Sequence, residues 1–396
     1  MLKLTYLISL ISCLFVSNIC KAQDSSHIQI SLLTCTPGEE LYSTFGHSAI
    51  RIIDSSSTND IVFNFGTFNF DDEGFYLKFV QGKLLYFLSA ERFQDFSYMY
   101  QSTGRGITEQ ILNFSPAEKI NIQHELFENL KEENKYYLYD FFFDNCTTRL
   151  RDIIQKNASE NEVKSSKQLL PYTFRNAIHS YLDKNDKSWS KLGIDLLLGA
   201  STDRKMTEQD AQFLPDNLMI AIDKKNHQRK LVITKEDVFP FKPIKIESQL
   251  FTPFLAFSML LLLYVLASSF KNSIKPLILS GMDGFIFFIT GSIGILLIIM
   301  WTATNHAMCK YNFNLLWAIP FNTVMAFFVR PSKLWMRNYF GLQAVFLTAT
   351  LIAWILLPQK MNLGFLPIVL LLLYRSAGIY YQFNPANSDG KKVPRI

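Results

Sequence analysis

The sequence predicts a two-part protein, in which an exported α+β domain is followed by an all-α transmembrane bundle of about five helices. Three observations carry this prediction. The chain opens with a short apolar segment, its middle has the mixed charge of a globular domain, and its last third consists of long apolar runs. A charged fraction of 18% beside 35 Phe residues is unusual for a soluble protein and indicates a membrane protein.

The first 22 residues have the pattern of a secretory signal peptide. Lys3 precedes an apolar core that continues to Val16, and the small residue Ala22 precedes polar sequence. An uncleaved membrane anchor is the alternative interpretation. Cleavage near Ala22 would leave residues 23–249 as an exported domain.

Five apolar segments follow this domain. They are Phe251–Phe270, Gly284–Trp301, Leu315–Val329, Tyr339–Leu357 and Leu363–Tyr380. About 20 apolar residues span a bilayer, so the third segment is short. The fifth contains Arg375, which must snorkel or face protein. We therefore expect a transmembrane bundle at residues 250–382 and a cytoplasmic tail at residues 383–396.

The basic residues of the loops agree with this orientation, because Lys and Arg concentrate in short cytoplasmic loops. The predicted cytoplasmic segments contain Lys271, Lys275, Arg330, Lys333, Arg337, Lys391, Lys392 and Arg395. The opposite loops contain only Lys310 and Lys360. The exported domain and the loop 302–314 are thus expected on the same side. Since these flanks largely explain the net charge of +5, nucleic acid is not indicated as a partner.

Within the exported domain, alternating apolar residues predict strands at 27–34, 47–54, 60–68 and 105–114. Ser115, Pro116 and Glu118 form a helix-start signal, with a capping box and a proline at the first helical position. This helix is expected to continue to about Asn134. The aromatic run "YYLYDFFF" that follows predicts a buried strand.

Cys146 stands directly after this run, at the start of the helical segment "CTTRLRDII". Asp144 or Asn145 can cap that helix, which places Cys146 in its first turn. Amide N–H groups and the helix dipole favour an anion there. The pKa of the thiol is then lowered, and its thiolate form is the nucleophile. Cys146 is therefore our candidate nucleophile.

His47 is the candidate base. It opens a strand in "STFGHSAIRI" directly after Gly46, whose missing side chain allows another element to approach closely. A Cys and a His about a hundred residues apart are weak evidence by themselves, because a His at a strand start is usually structural. A strand-borne His followed by a helix-start Cys is more specific.

After signal cleavage three cysteines remain, Cys35, Cys146 and Cys309, all on the exported side. Exported thiols can be oxidised, so a disulfide between Cys35 and Cys146 is the alternative explanation for both residues. The sequence has no His, Cys and carboxylate cluster with metal-ligand spacing and no glycine-rich phosphate loop. We expect no metal and no cofactor.

Four stretches carry a family resemblance. "TPGEELYSTFGHSAIRI", "VFNFGTFNF", "YDFFFDNCTTRLRD" and "LLLGASTDRKMTEQDAQFLPD" resemble the signature blocks of the Lnb N-terminal periplasmic domain family. The membrane half, with "TNHAMCKYNFNLLWAIPFN", resembles that of full-length Lnb-type lipoprotein N-acyltransferases. More distantly, the His-then-Cys order resembles circularly permuted papain-like enzymes such as lecithin:retinol acyltransferase and NlpC-type peptidases.

The resemblance implies a cysteine-dependent acyltransferase in the bacterial inner membrane with its catalytic domain in the periplasm. Such an enzyme takes an acyl chain from a phospholipid and transfers it to the α-amino group of a diacylglyceryl-cysteine lipoprotein. Cys146 would form a thioester with the acyl chain. His47 would accept the thiol proton and later help to deprotonate the amine.

Further residues are assigned to the site as hypotheses. Asn64, on the strand predicted to pair with that of His47, is the candidate that orients the base, with Asn69 as competitor. The backbone N–H of Cys146 is a candidate oxyanion donor. The additional substrate or oxyanion candidates are Tyr42, Ser43, Asn145, Arg149 and His306. Arg149, one helical turn after Cys146, is expected either to bind a lipid phosphate or to pair with a nearby acid.

His306 lies in the exported loop before the third span, near the bilayer. One hypothesis is that this loop shapes the mouth through which an acyl chain or a lipoprotein amine enters. The alternative is a headgroup-level histidine without a catalytic role.

Two other functions also remain open for the whole chain. The first is a Cys–His hydrolase acting on peptidoglycan peptides or lipids, and the second is a non-catalytic assembly factor with Cys146 in a disulfide.

Overall fold

The computed structural model describes residues 27–158, 168–224, 230–240, 250–269 and 275–382. The predicted signal peptide (1–22) and the predicted cytoplasmic tail (383–396) lie outside the described residues. The described chain forms a domain of sheet and helices, followed by a helical region.

An antiparallel sheet of seven strands organises the first domain. Its strands are β1 (Ile28–Cys35), β2 (His47–Asp54), β3 (Asn59–Thr67), β4 (Leu85–Arg92), β5 (Ile107–Leu112), β6 (Tyr136–Leu138) and β9 (Val232–Phe239). Across the sheet the order is β6-β4-β3-β2-β1-β5-β9. The strands β7 (Leu169–Thr173) and β8 (Lys205–Thr207) pair separately. Strands predicted from alternation are confirmed as β1, β2, β3 and β5.

The aromatic run is a strand only at Tyr136–Leu138, so the longer predicted strand is wrong. The reason lies in Asp140, whose carboxylate accepts hydrogen bonds from the backbone N–H groups of Phe142 and Phe143 at 2.8 and 3.0 Å. Such a side-chain bond two residues ahead forms an Asx turn, which takes the chain out of the sheet. The turn leads directly into the helix of Cys146.

The described part of the first domain contains eight helices. They are α1 (Phe75–Gln81), α2 (Phe93–Ser102), α3 (Pro116–Leu130), α4 (Cys146–Asn157), α5 (Phe174–Lys184), α6 (Ser188–Leu197), α7 (Glu208–Ala211) and α8 (Pro215–Asp223). The start predicted for α3 is confirmed, including the capping box between Ser115 and Glu118.

The sheet is covered on both faces. On one face, Leu150 and Ile154 of α4 pack into the main core, which also contains Ile50 and Phe63 of the sheet. The spacing of Leu150, Ile153 and Ile154 gives α4 one apolar side, which explains why the helix lies flat on the strands. On the other face, α2 covers β1, β2 and β3 through Phe96. This packing fixes the N-terminal end of α4 at one end of the sheet.

Four long helices form most of the second region. They are α9 (Pro253–Ser269), α10 (Lys275–Thr302), α12 (Leu334–Ala353) and α13 (Leu366–Gln382), and they overlap the first, second, fourth and fifth predicted spans. The stretches Leu277–Thr302 and Leu363–Gln382 are long and apolar enough to cross a membrane, and Pro253–Ser269 is a shorter apolar helix.

The third predicted span, Leu315–Val329, is not one continuous helix. It consists of a 3₁₀ turn at Phe313–Leu316, the short helix α11 (Asn322–Met325) and a second 3₁₀ turn at Ala326–Phe328. Pro320 has no amide hydrogen and disfavours a helix before it, which explains the interruption. The broken segment lies against α10, where a β-carbon at Gly291 or Gly294 would overlap its backbone.

Arg375 faces protein, one of the two arrangements that the sequence allows. Its guanidinium makes a bidentate ion pair with Asp283 of α10, with N–O distances of 2.7 and 2.8 Å. Tyr264 of α9 donates a hydrogen bond of 2.6 Å to the same carboxylate. All three side chains are buried. The pair thus joins three helices at a depth where an isolated charge is costly.

A buried polar network joins the two regions. Arg175 of α5, fully buried, donates to Asp195 of α6 at 2.6 Å. Asn362, in the loop before α13, donates to the other oxygen of Asp195 at 2.7 Å. Asn312, in the loop after α10, donates to the carbonyls that end α6 at 2.8 and 3.0 Å. The bundle therefore holds the first domain through specific hydrogen bonds.

Candidate active site

The candidate nucleophile stands at the first position of α4. Asn145 caps this helix, since its side chain accepts a hydrogen bond of 2.8 Å from the backbone N–H of Thr148. The Thr148 hydroxyl in turn accepts from the backbone N–H of Asn145, also at 2.8 Å. This capping box fixes the first turn of the helix. Cys146 is 9% exposed there, with its backbone N–H at the positive end of the helix dipole.

His47 begins β2, and its position depends on Gly46. Gly46 has a φ of 78°, and a β-carbon there would lie 2.7 Å from the carbonyl oxygen of Cys35. Only glycine accommodates both the left-handed backbone and this close approach. The pairing of β1 with β2 places His47 opposite Cys35. The imidazole lies beside the thiol of Cys146, where each group shifts the pKa of the other, so the two sequence candidates meet.

A second hydrogen bond orients the imidazole. Nε2 of His47 donates to the side-chain oxygen of Asn64 on β3, which leaves Nδ1 as the ring nitrogen that can face the thiol. Asn64 also lies close to the carboxylate of Glu91 on β4; burial raises the pKa of that carboxyl group, and Asn64 opposes the rise. Three adjacent strands thus supply the chain His47, Asn64 and Glu91. Asn69, the competitor of Asn64, lies in a turn where it accepts from the backbone N–H of Asp71 at 3.0 Å.

The ionisation of Cys146 and the ionisation of His47 depend on each other. Burial by itself raises the pKa of Cys146, but the charge and hydrogen bond of His47 oppose it. The backbone N–H of Ser48 and the hydroxyl of Thr147 add hydrogen bonds to the sulfur, and together these groups lower the pKa of Cys146 from 9.0 to about 7. For His47, burial lowers the pKa, yet Cys146 and Asn64 raise it above its ordinary 6.5. Both shifts favour a thiolate beside an imidazolium.

The other two described cysteines differ from Cys146 in the direction of their pKa shifts. Burial raises the pKa of both Cys35 and Cys309 to about 12. All three thiols are free, so this structure contains no Cys35–Cys146 disulfide. Cys146 is the only one of the three with a lowered pKa. Within the described residues, no three His, Cys, Asp or Glu side chains are grouped as a metal site requires.

Asn145, Ser43 and Tyr42 occupy three different environments. Both amide hydrogens of Asn145 are used by the carbonyls of Phe141 and Phe213, at 2.8 and 2.9 Å, so its side chain supports the helix start. The hydroxyl of Ser43 donates to the Glu40 carbonyl at 3.0 Å. Tyr42, in the 3₁₀ turn Leu41–Ser43, is 72% exposed. Of these three side chains, only that of Tyr42 points to solvent.

Arg149 pairs with an acid, the second of its two expected roles. Its guanidinium makes a bidentate ion pair with Asp144 at 2.6 and 2.8 Å and lies 3.5 Å from the ring centroid of Tyr137. These contacts stabilise the turn into α4.

A different cation, Arg105, faces the site. One of its buried terminal nitrogens has no hydrogen-bond partner in the described structure, and its charge lowers the pKa of His47.

Sequence patterns did not reveal Arg105 or Glu91. Arg105 follows a glycine turn before β5, and its Nε donates to the Thr36 carbonyl at 2.9 Å. Glu91 is opposite Val62 in the register of β3 and β4. Both positions depend on strand pairing. No strand was predicted at residues 85–92, so no local pattern placed Glu91 near Asn64.

His306 lies outside this cluster. Its Nε2 is 3.2 and 3.1 Å from the carbonyl oxygens of Phe79 and Val80, at the C-terminal end of α1. The backbone N–H of Asn305 donates to the Gln81 carbonyl at 3.0 Å. His306 thus attaches the loop after α10 to α1.

Comparison with known families covers both regions. The Lnb N-terminal periplasmic domain matches residues 17–180, and the Lnb transmembrane domain matches residues 245–385. No curated protein and no solved structure matched the chain. The first match contains His47, Asn64 and Cys146, and the second contains all four long helices of the bundle. The chain therefore belongs to the Lnb family of membrane proteins with a periplasmic domain.

Proposed function

We propose that this chain is a lipoprotein N-acyltransferase that uses Cys146 as nucleophile, His47 as base and Asn64 to orient the base. The donor is a membrane phospholipid, and the acceptor is the α-amino group of an N-terminal diacylglyceryl-cysteine. One observation carries the proposal: a helix-start thiol with a lowered pKa lies beside an imidazole that a third residue holds. Membership of the Lnb family supports the reaction class.

In the first half-reaction, the Cys146 thiolate attacks the carbonyl carbon of a phospholipid ester. The tetrahedral intermediate collapses, the carbon–oxygen ester bond breaks, and protonated His47 gives its proton to the leaving lysophospholipid alkoxide. The acyl chain remains on Cys146 as a thioester. The backbone N–H of Cys146, at the start of α4, is directed to the developing oxyanion, and Tyr42 is the exposed candidate for a second donor.

In the second half-reaction, the lipoprotein amine attacks the thioester carbonyl. Neutral His47 accepts a proton from the amine, the carbon–sulfur bond breaks, and the Cys146 thiolate is regenerated as the amide forms. The hydrogen bond from His47 to Asn64 holds the ring in one orientation during both proton transfers. Glu91 lies beside Asn64 and extends this series by one residue.

The order of these elements supports a circularly permuted papain-like catalytic domain. The base comes from β2, and the nucleophile follows from the start of α4, which packs on the same sheet. We place this domain at the periplasmic face of the inner membrane. There both lipid substrates are within reach of a domain that the bundle holds by hydrogen bonds.

Mass spectrometry of a lipoprotein tests the proposal. The N-terminal peptide is analysed from cells that lack a native N-acyltransferase and express either this chain or its Cys146→Ala variant. An added acyl chain on the amino group, present only with the unmodified chain, is the expected result. If neither protein adds it while both are inserted in the membrane, the proposal is wrong, and hydrolysis of an acyl-enzyme by water becomes the reaction to test.

A further inference from the structure

The short helix α1 exposes an unusual number of apolar side chains. Tyr76, Leu77, Phe79 and Val80 are 80%, 64%, 52% and 41% exposed, and none of the seven residues of α1 is buried. Phe70, just before the helix, is 64% exposed. A contiguous apolar patch of this kind on a polar domain marks a surface that binds a partner or a membrane.

The position of α1 indicates that the partner of this patch is the membrane. Helix α10, a candidate membrane span, ends at Thr302, and Asn305 and His306, three and four residues later, bind the last carbonyl groups of α1. A β-carbon at Gly82, directly after α1, would lie 3.1 Å from the β-carbon of Asn305. The patch is therefore attached to the end of a candidate membrane span, at the height where that helix would leave the bilayer.

The composition of α1 is typical of a segment at the surface of a bilayer. Its one charged residue, Lys78, forms an ion pair of 2.7 Å with Asp72, and the exposed residue Lys83 follows the helix. Long basic side chains beside large apolar ones are typical of segments that lie in the membrane interface. Trp301 and Tyr311, on either side of the attaching loop, are in contact with each other and are residue types of the same interface.

Aromatic rings connect α1 with the nucleophile. Phe75 of α1 contacts Phe68, with ring centroids 5.9 Å apart, and Phe68 contacts Tyr86 at 5.2 Å. Tyr86 stacks on Tyr139 at 4.3 Å. At the end of this series is Gly66, where a β-carbon would be 3.9 Å from the Tyr139 ring and 3.5 Å from the β-carbon of Cys146.

We propose that α1 inserts into the non-cytoplasmic leaflet and that its aromatic series guides a lipid acyl chain from the bilayer to Cys146. The proposed insertion rests only on the exposure of the α1 side chains and on the attachment of α1 to the loop after α10. The guiding role rests on the proposed acyltransferase function. In this arrangement His306 is a positioning residue, because it holds the end of α1 and is not part of the catalytic cluster.

Photo-crosslinking tests the insertion without requiring activity. The photoreactive residue p-benzoylphenylalanine replaces Leu77 in the full-length chain, reconstituted in vesicles of phosphatidylethanolamine and phosphatidylglycerol. Tyr98 of α2, 71% exposed on the same domain, is the matched control position. After irradiation, phospholipid adducts at position 77 and not at position 98 are expected. Equal adducts at both positions, or none at 77, would overturn the insertion.

A charge substitution tests the guiding role. In Leu77→Glu, we expect the KM for phospholipid in vesicles to rise by about tenfold, because a carboxylate disfavours insertion. The alkylation rate of Cys146 is expected to stay unchanged, which shows an intact domain. Met99→Glu, at an exposed position of α2, is the control. A wild-type KM in Leu77→Glu would refute the guiding role. An inactive wild-type chain would refute the proposed function, and the crosslinking result would still stand.

Discussion

Replacing His47 by Gln should raise the pKa of the Cys146 thiol. In the native site, the charge and hydrogen bond of His47 are the largest of the effects that oppose burial and lower this pKa from 9.0 to about 7. Glutamine keeps a side chain of similar size but cannot become positively charged. Burial would then dominate, so the pKa in His47→Gln is expected at 9.0 or higher.

The size of the effect follows from the two pKa values. At pH 7 about half of Cys146 is thiolate when its pKa is about 7, whereas about 1% is thiolate at a pKa of 9.0. The thiolate is the reactive form, so the alkylation rate at pH 7 should fall by about 50-fold or more. Because the thiolate predominates above the pKa, raising the pH should restore the rate in the variant.

The assay is alkylation of the full-length protein by iodoacetamide between pH 5 and 10, followed by mass spectrometry of the peptide that contains Cys146. Cys35 and Cys309, with pKa values raised to about 12, should remain unmodified over most of this range. His124→Gln is the control, since His124 is 75% exposed on α3. A midpoint near 7 in His47→Gln would refute the thiolate–imidazolium pair.

The remaining predictions concern the orienting residue, the domain junction and the bundle. Asn64→Ala should lower kcat by roughly 10- to 100-fold, since a hydrogen bond to a charged group contributes about 1.5–3 kcal/mol, whereas Asn69→Ala should keep wild-type kinetics. Gly199→Ala should lower acyltransferase activity but leave Cys146 alkylation unchanged, because its β-carbon would overlap the Lys310 carbonyl and displace the junction. Asp283→Asn should destabilise the chain by about 3–5 kcal/mol in thermal unfolding, and the double variant Asp283→Leu with Arg375→Leu should recover stability; equal stability of the single and double variants would contradict this.

Local sequence signals mark both of the central candidate residues. His47 follows a glycine at a strand start, and Cys146 follows capping residues at a helix start. Elements with such clear boundaries can be identified without knowledge of the fold. That the two side chains meet was an inference from order and resemblance, and the packing of α4 on the sheet provides the physical reason.

The rest of the site depends on contacts between distant parts of the chain. Glu91 comes close to Asn64 only through the register of β3 and β4, and no local pattern specifies a register that brings together residues 27 positions apart. The contact of His306 with Phe79 joins residues 227 positions apart. The third predicted span is interrupted for a different reason. Its apolar composition is suitable for a helix, but Pro320 and the adjoining α10 glycines favour a broken segment.

The bundle is more elaborate than an anchor requires, and its contacts explain why. A single span would hold the domain at the membrane but leave its height and rotation free. Here the loop after α10 binds α1 through His306 and binds the end of α6 through Asn312, at two separate points of the domain. Asn362, before α13, supplies a third point at Asp195. Three attachment points fix a rigid body in both height and rotation. The proposed acyl transfer would need this control, because both the donor ester and the acceptor amine would have to reach Cys146 from the same leaflet.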